Sequence, residues 1–450
     1  MSKKPTAASS GAVSPALRAA REFAQQHKAS LTELQSENAG RELAELSRRI
    51  SKKPLVLFFG RPNFSDNTKY LFLETLRSAP DYEVLWCTAT KELAVELTAH
   101  GLPCLNFMAD FPETMRRFLQ ASVAVFCENM NSSFGGNNML AGALAGAQKI
   151  QLWHGVSVKH LDLMLVPYLD VFDRGFRNPI KLATRTDHFL STSSQLDAFW
   201  VRAFGCTSLL RAGQPRNTVI VREPTALEMI GASLPPEQLA AMRNSNVRRV
   251  LVAPTWQRAK PLFISTAAFY ERLAAWAERE QAVAFVKLHP FLSAAERPRD
   301  VPGRLYFLDA GVDIYPWMSR FDAMITDYSS IMFDFLFTER PIFTFDSRTQ
   351  VSCGFEPDWS LIPNIPFRYS FDAHSFERVL DDNIVRHPLR DSQRQLRDQL
   401  FETNPVDASS QLIRVIAECN ATALYRPVDV ISDDDGAGHE LAPLALTMSA

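Results

Sequence analysis

Between residues 55 and 345 the chain alternates short apolar runs of strand length with longer stretches of helical periodicity, and it does so in two successive series. The first series places strands at 55–59, 82–86, 123–126, 149–152 and 188–190; the second at 250–252, 284–287, 305–307, 323–325 and 342–345. Runs that stay apolar, rather than alternating with polar residues, are strands buried on both faces, and the helices between them supply the cover. Each series therefore predicts a parallel, doubly wound sheet. Pro215, Pro224, Pro235 and Pro236 fall between the series. The expected organisation is α/β: one Rossmann-like domain over 52–212, a linker over 213–248, and a second Rossmann-like domain over 249–425, with a cleft between them. Past Phe371 the pattern turns polar and helical, predicting closing helices that finish the second domain or cross back to the first.

The ends read differently. Residues 1–15 are small and polar, which predicts a disordered tip, and 426–450, with Asp433, Asp434 and Asp435, reads as a flexible, solvated tail. From about residue 14 to 51 the pattern is helical, and Leu43, Leu46 and Ile50 make one apolar seam. That seam predicts a helix packed on the body. The basic residues around it also suit a membrane surface or a second copy of the chain. At 140–147 the run LAGALAGA is far too short to span a bilayer; its Gly142 and Gly146 predict a helix packed closely on a sheet.

Composition closes off several functions. A net charge of −2, with 22% charged and 46% hydrophobic residues, is that of a folded globular chain and not of a basic nucleic-acid binder. The six cysteines include no Cys-x-x-Cys pair, so neither a thiolate metal site nor a disulfide framework is expected, and a reducing compartment fits. The N-terminal residues lack the apolar stretch of a secretory signal.

In open α/β sheets the ligand-facing groups sit just beyond the carboxyl ends of the strands. There the first series places Trp153-His154-Gly155: an imidazole able to take a proton from a hydroxyl, next to a glycine that permits close backbone approach. The second series ends a strand in Lys287-Leu288-His289-Pro290, and the period of two sets Lys287 and His289 on one side. Ala253-Pro254-Thr255-Trp256-Gln257-Arg258 follows that series' first strand, where Thr255 and Arg258 are candidate phosphate contacts. The segment DAMITDYSSIMFDFLF runs from a strand through Asp327-Tyr328-Ser329-Ser330 into a helix. Its two hydroxyls lie beside free backbone amides, where a diphosphate is favoured; the plainer reading, that either serine is only an N-cap, does not exclude phosphate binding. Asp334, one turn further, is within reach of a ribose hydroxyl. Gly213-Gln214-Pro215-Arg216-Asn217 reads as a hinge whose Arg216 and Asn217 could touch a ligand.

Common signatures are missing: no Gly-x-Gly-x-x-Gly after the first strand, no P-loop, no His-Glu-x-x-His and no Gly-x-Ser-x-Gly. Nor is there an Asp-x-Asp to hold a nucleotide-bound divalent ion, so the expected chemistry uses histidine, cationic side chains and helix dipoles, without metal or cofactor.

Taken together and in order, QLWHGVSVKHL, GQPRN, VLVAPTW, VKLHP and DAMITDYSSIMFDFLFTERPIFTF resemble the CDP-glycerol glycerophosphotransferase family of teichoic-acid and capsule polymer transferases. The resemblance implies a GT-B fold and transfer of a polyol phosphate, usually glycerol phosphate, from a CDP-linked donor such as CDP-glycerol or CDP-ribitol to an acceptor hydroxyl, releasing CMP. It implies a lipid-linked saccharide or polymer acceptor and a cytoplasmic enzyme working at the inner membrane face. Family members commonly carry Thr and Pro after the first strand-end WHG, where this chain has Val156 and Ser157, while Lys159 is retained. Many relatives read APTWR where this chain reads APTWQ, with Arg258 one place later. His154 and His289 are then the catalytic pair, in an order the sequence leaves open between base and stabiliser. Thr255, Arg258, Lys287, Asp327, Ser329, Ser330 and Asp334 are assigned to the donor, and Gly155, Lys159, Arg216 and Asn217 to the acceptor or the hinge. Another GT-B activity, a sugar transferase or a nucleotide-sugar epimerase, is the alternative.

Overall fold

The computed structural model describes residues 35–36, 38–135, 137–159, 186–204, 206, 208–255, 263–288, 299–346, 357–370 and 376–425. The predicted tip and tail, His289 and Arg258 lie outside these residues.

The first series forms one parallel sheet from β1 (Lys53–Phe59), β2 (Glu83–Thr88), β3 (Cys104–Asn106), β4 (Ala121–Phe126), β5 (Gln148–Gln151), β6 (His188–Ser191) and β7 (Leu209–Arg211), in the order β3-β2-β1-β4-β5-β6-β7. The second series forms another from β8 (Arg248–Ala253), β9 (Ala282–Lys287), β10 (Leu305–Leu308), β11 (Ala323–Thr326), β12 (Ile342–Asp346) and β13 (Arg368–Ser370), ordered β10-β9-β8-β11-β12-β13. All ten predicted strands are present. The three that were not predicted, β3, β7 and β13, are three-residue strands at sheet edges. In each sheet the order reverses beside the first strand, between β1 and β4 and between β8 and β11, which makes the loops leaving those strands the walls of a ligand crevice. β1 illustrates why the runs are apolar throughout: Leu55 to Phe59 are all buried, Val56 and Phe58 on one face, Leu57 and Phe59 on the other.

Of the two placements expected for the terminal helices the last one takes the second, and the contact of the N-terminal helix differs from expectation. The helix Ala408–Leu424 crosses back to the first sheet, where Leu412, Ile416 and Cys419 pack with Val56, Val123 and Leu71, and Ser122 Oγ donates to Asn420 Oδ1 at 2.6 Å. The second unit expected over 249–425 therefore does not hold its last helix. Near the N-terminus, residues 38–49 are helical and packed on the body, but through Gly40, Ala44 and Ser47, while Leu46 of the predicted seam is 46% exposed. The backbones meet closely. A Cβ on Gly142 would lie 2.1 Å from the Gly40 carbonyl oxygen, and one on Gly146 would lie 2.2 Å from that of Ser47. Ser47 Oγ donates to Ala143 O (2.6 Å) and accepts from Gly146 N (3.0 Å). The small residues at 142 and 146 thus receive a helix and not a sheet.

The two sheets are joined by a buried ion pair. Lys69, in the helix Asp66–Arg77 that follows β1, is 0% exposed, and its ammonium donates to Glu228 O (2.7 Å), Ile230 O (2.8 Å) and Asp313 Oδ2 (2.8 Å). Tyr70 Oη donates to the same carboxylate oxygen at 2.7 Å. All three ammonium hydrogens are matched, as a charge removed from water requires. One lysine of the first unit thereby fastens the linker and the second unit together.

Candidate active site

The crevice is built from the loops leaving β1, β5 and β7 on one side and β8 and β11 on the other. Beyond β5 the chain turns sharply: Trp153 has φ 55° and Gly155 has φ 127°. A left-handed tryptophan persists only where its surroundings over-determine it. Here Gln151 Oε1 accepts from Trp153 N at 2.9 Å, and Asn67 Nδ2 donates to Trp153 O at 2.9 Å. Asn67 Oδ1 in turn accepts from Arg216 N at 3.3 Å, so one amide ties together the loops after β1, β5 and β7. His154 sits at the centre of this turn with its ring 4.1 Å from that of Trp153.

Arg216 is the hub. It is 2% exposed and donates to Asp66 Oδ1 (2.5 Å), Asp334 Oδ2 (2.7 Å) and the His154 carbonyl (3.0 Å), while its guanidinium lies over the Tyr315 ring at 4.6 Å. Tyr315 Oη donates to Asp334 Oδ2 at 2.8 Å, and Arg61 Nε donates to Asp66 Oδ2 at 3.0 Å. Burial alone would raise the Asp66 carboxyl, but Arg216 and Arg61 hold it below its ordinary value. For Asp334 burial prevails, and its carboxyl is raised despite Arg216 and Tyr315. The planar fork of arginine suits this task, since it must face two carboxylates and a carbonyl at once.

Across the crevice Asp327, 2% exposed, accepts from Thr255 N (2.9 Å), Thr255 Oγ1 (2.6 Å) and Tyr328 N (2.6 Å), bracing the loops after β8 and β11 against each other. Ser329 and Ser330 follow, partly exposed, and Ser330 precedes the helix Ile331–Phe335 without its side chain making a cap hydrogen bond. The two walls come close here: a Cβ on Gly155 would lie 3.5 Å from Ser330 Oγ of the other wall, and 2.8 Å from Arg216 Nη2 of its own. Lys159 reaches over as well, with Nζ 5.8 Å from the Tyr328 ring centre, and its neighbour's carbonyl, Val158 O, accepts from Asp358 N at 2.5 Å.

The His154 imidazole is driven down to about 3, first by burial and then by the cations Arg61, Arg216 and Lys159, with Asp66 opposing. It is neutral at pH 7 and free to accept a proton; its Nδ1 is buried without a hydrogen-bond partner. Burial likewise lowers Lys159, against the pull of Asp327. A diphosphate entering between these cations would offset the charge that depresses His154 and move its pKa back towards neutrality.

The predicted site residues divide accordingly. His154, Gly155, Lys159, Arg216, Asn217, Thr255, Asp327, Ser329, Ser330 and Asp334 come together at the crevice. Three of the expected donor contacts have polar groups engaged within the protein. Asp334 is 1% exposed and accepts from Arg216 and Tyr315; Thr255 gives both its N–H and its hydroxyl to Asp327; and Lys287 Nζ donates to the carbonyls of Asp309 (2.9 Å) and Ala310 (2.6 Å), holding the loop after β10. Arg216 and Asn217 are buried inside the junction and not on an open hinge. Sequence reasoning missed Arg61, Asp66, Asn67 and Tyr315. The signal available for the first three was their position, immediately after β1, where a nucleotide-binding sheet places its ligand loop.

Two parallel sheets with reversed strand order, a shared helix and facing loops define a GT-B-type α/β protein. A wall teichoic acid polymerase structure, TagF (H548A), superposes with a TM-score of 0.64 at 19% identity, covering 89% of this chain and 99% of that one, which shows the same fold. Residues 43–350 match the family model described as CDP-Glycerol:Poly(glycerophosphate) glycerophosphotransferase, and the chain belongs to that family of transferases. The teichoic acid ribitol-phosphate polymerase TarK of Staphylococcus aureus is 24% identical over 384 residues, 78% of this chain and 69% of that protein. The teichoic acid poly(glycerol phosphate) polymerase of Bacillus subtilis is 24% identical over 309 residues, 66% of this chain and 39% of that one. The chain thus spans well under half of the Bacillus polymerase.

Proposed function

We propose that the chain transfers a polyol phosphate, glycerol phosphate first, from a CDP-linked donor to a hydroxyl of a lipid-linked saccharide or of a growing wall or capsule polymer, at the inner face of the cytoplasmic membrane. The observation that carries this reading is the meeting of the His154 turn with Ser330 across the crevice, on a chain of this family. The acceptor oxygen attacks the β-phosphorus as its proton passes to His154. The bond from that phosphorus to the bridging oxygen breaks, and CMP leaves with the electron pair. General-base help of this kind contributes about 10²- to 10⁴-fold. Positioning and charge neutralisation contribute the rest, through Lys159, the Ser329 and Ser330 hydroxyls with the amides beside them, and His289 and Arg258 of the sequence motifs. Thr255 and Asp327 brace the donor loop, and Asp334, Tyr315 and Asp66 hold Arg216, which in turn holds the His154 carbonyl. Ribitol phosphate is the second reading for the donor, supported by the extent of the match to TarK.

The test is a donor panel of CDP-glycerol, CDP-ribitol and UDP-sugars, with mass spectrometry of the products and release of CMP as the readout. Transfer from a CDP-polyol that His154→Ala abolishes without loss of fold supports the reading. Transfer from UDP-sugars alone, or undiminished turnover by His154→Ala, refutes it.

A further inference from the structure

At the opposite edge of the second sheet, the amino ends of its strands surround an open cleft of about 920 Å³. Its walls come from Arg248 and Arg249 at the start of β8, Asp322 before β11, residues 338–341 before β12, and the segment 384–390. The crevice lies at the carboxyl ends of the same strands, a full strand length away.

The lining is rich in guanidinium. Arg248, Arg249, Arg340, Arg386 and Arg390 face two carboxylates, Asp322 and Glu339. Asp322 is taken by Arg249, with Oδ2 accepting from its N at 2.8 Å. Glu339 is shared by Arg390 (3.1 Å), Arg394 (2.5 Å) and Arg397 (3.1 Å), which leaves it strongly acidic, down to about 2, and without capacity for another cation. Arg394 and Arg397 also contact Asp391 and Asp398 on their own helix. The side chains of Arg248, Arg340 and Arg386 make no ion pair or hydrogen bond among the described residues, although they come from three separate segments and converge on one cleft. Two rim residues, Glu339 (φ 55°) and His387 (φ 42°), hold left-handed backbone that non-glycine residues rarely adopt. His387, half-buried beside the Glu339 backbone, is lowered by that burial and contributes no charge at pH 7.

Three unpaired guanidiniums around a recess suit an anion with several charges in a row, and the fork of arginine matches phosphate oxygens in pairs. We infer that this cleft is a second binding site, one that takes a phosphodiester segment of the acceptor polymer while its end occupies the crevice. This rests on the transferase reading, in which the polymer carries one negative charge per unit. A phospholipid headgroup offers the same phosphodiester, but the three guanidiniums line a recess and not a flat face, which favours a single polymer chain over a bilayer.

The experiment uses the full chain, a fluorescently labelled glycerol phosphate oligomer, and phosphatidylglycerol vesicles. Arg248→Gln/Arg340→Gln/Arg386→Gln is compared with Arg202→Gln/Arg243→Gln/Arg414→Gln, which removes the same charge from exposed positions elsewhere, and with Arg386→Glu alone should the triple variant prove unstable. The expected result is oligomer binding that weakens at least tenfold in the first variant and in Arg386→Glu but less than twofold in the control, with turnover on a short single-hydroxyl acceptor unchanged and KM for a long acceptor raised. Equal binding by the cleft variants and wild type overturns the proposal, as does binding of vesicles and not of oligomer through these arginines. If no CDP donor supports turnover in any form while oligomer binding still depends on the three arginines, it is the transferase reading that fails and the site that stands.

Discussion

Replacing Lys69 by methionine removes a charge at nearly constant volume from a place with no exposure. Three acceptors lose their donor: the Glu228 and Ile230 carbonyls and the Asp313 carboxylate. The carboxylate keeps Tyr70 Oη, and its other oxygen keeps the Tyr315 amide at 3.2 Å, so it is weakened but not abandoned. Breaking one partner of a buried pair costs about 3–5 kcal/mol, and the two remaining bonds to Asp313 place Lys69→Met towards the lower end of that range. Native stabilities are on the order of 5–15 kcal/mol, so the loss is easily measured. The same reasoning sets the sign of the second substitution. With the lysine gone, Asp313→Asn removes the uncompensated charge, so Lys69→Met/Asp313→Asn should be more stable than Lys69→Met by roughly 1–3 kcal/mol, even though Asp313→Asn alone destabilises. Urea unfolding followed by circular dichroism and by tryptophan fluorescence, with the slopes held to the wild-type value, reads all four proteins. If the double substitution costs the sum of the singles, the pair is not coupled and the junction is held by something else.

Other outcomes follow from the crevice and the N-terminal helix. Because His154 in the free protein lies near 3, the acid limb of kcat/KM should show no His154 ionisation between pH 5 and 8, while the kcat limb, reporting the complex, moves to higher pH; coincident limbs would contradict the charge argument. The same group binds more protons when unfolded, so its stabilising share is complete above its ordinary 6.5 and lost as pH falls towards 3; His154→Gln should recover up to about 2 kcal/mol at pH 5, by urea titration. Gly155→Ala sets a Cβ against the pinned Arg216 and a strained φ, costing about 1–3 kcal/mol, and is expected to lower kcat at least tenfold in a soluble protein, measured by CMP release. Deleting residues 1–50 uncovers the Gly142 and Gly146 face, so the shortened protein should melt lower or aggregate in light scattering; unchanged stability would mean that the helix adds nothing to the body.

The central strands were legible because a parallel sheet covered on both faces demands apolar side chains at successive positions, as in LVLFF of β1 and AVAFV of β9. The edge strands Cys104–Asn106, Leu209–Arg211 and Arg368–Ser370 were not, since three residues paired on one side carry no pattern of their own. Contact chemistry divided along the same line. His154 and Ser330 could be placed from strand ends alone. The burial of Arg216 depends on Asp66 and Asp334, 150 and 118 residues away, and no local spacing reports such partners. The N-terminal helix misled for a different reason: where backbones approach this closely, glycine, alanine and serine form the contact, and a search for leucines finds the outer face.

The helix Ala408–Leu424 gives the chain an order of assembly. It lies against β1 and β4, strands that end 349 and 282 residues before it begins. At about 5–20 residues per second, synthesis of the intervening segment takes roughly 15–70 seconds, and throughout that time one apolar face of the first sheet, covered only in part by the helices Asp66–Arg77 and Lys91–Ala99, waits for the rest of its cover. The first unit cannot close as an independent nascent domain; its completion coincides with the end of translation of the second. A ribosome stalled before residue 408 therefore presents a chaperone with a partly open sheet in the first unit, not only with an unfinished segment at the growing end.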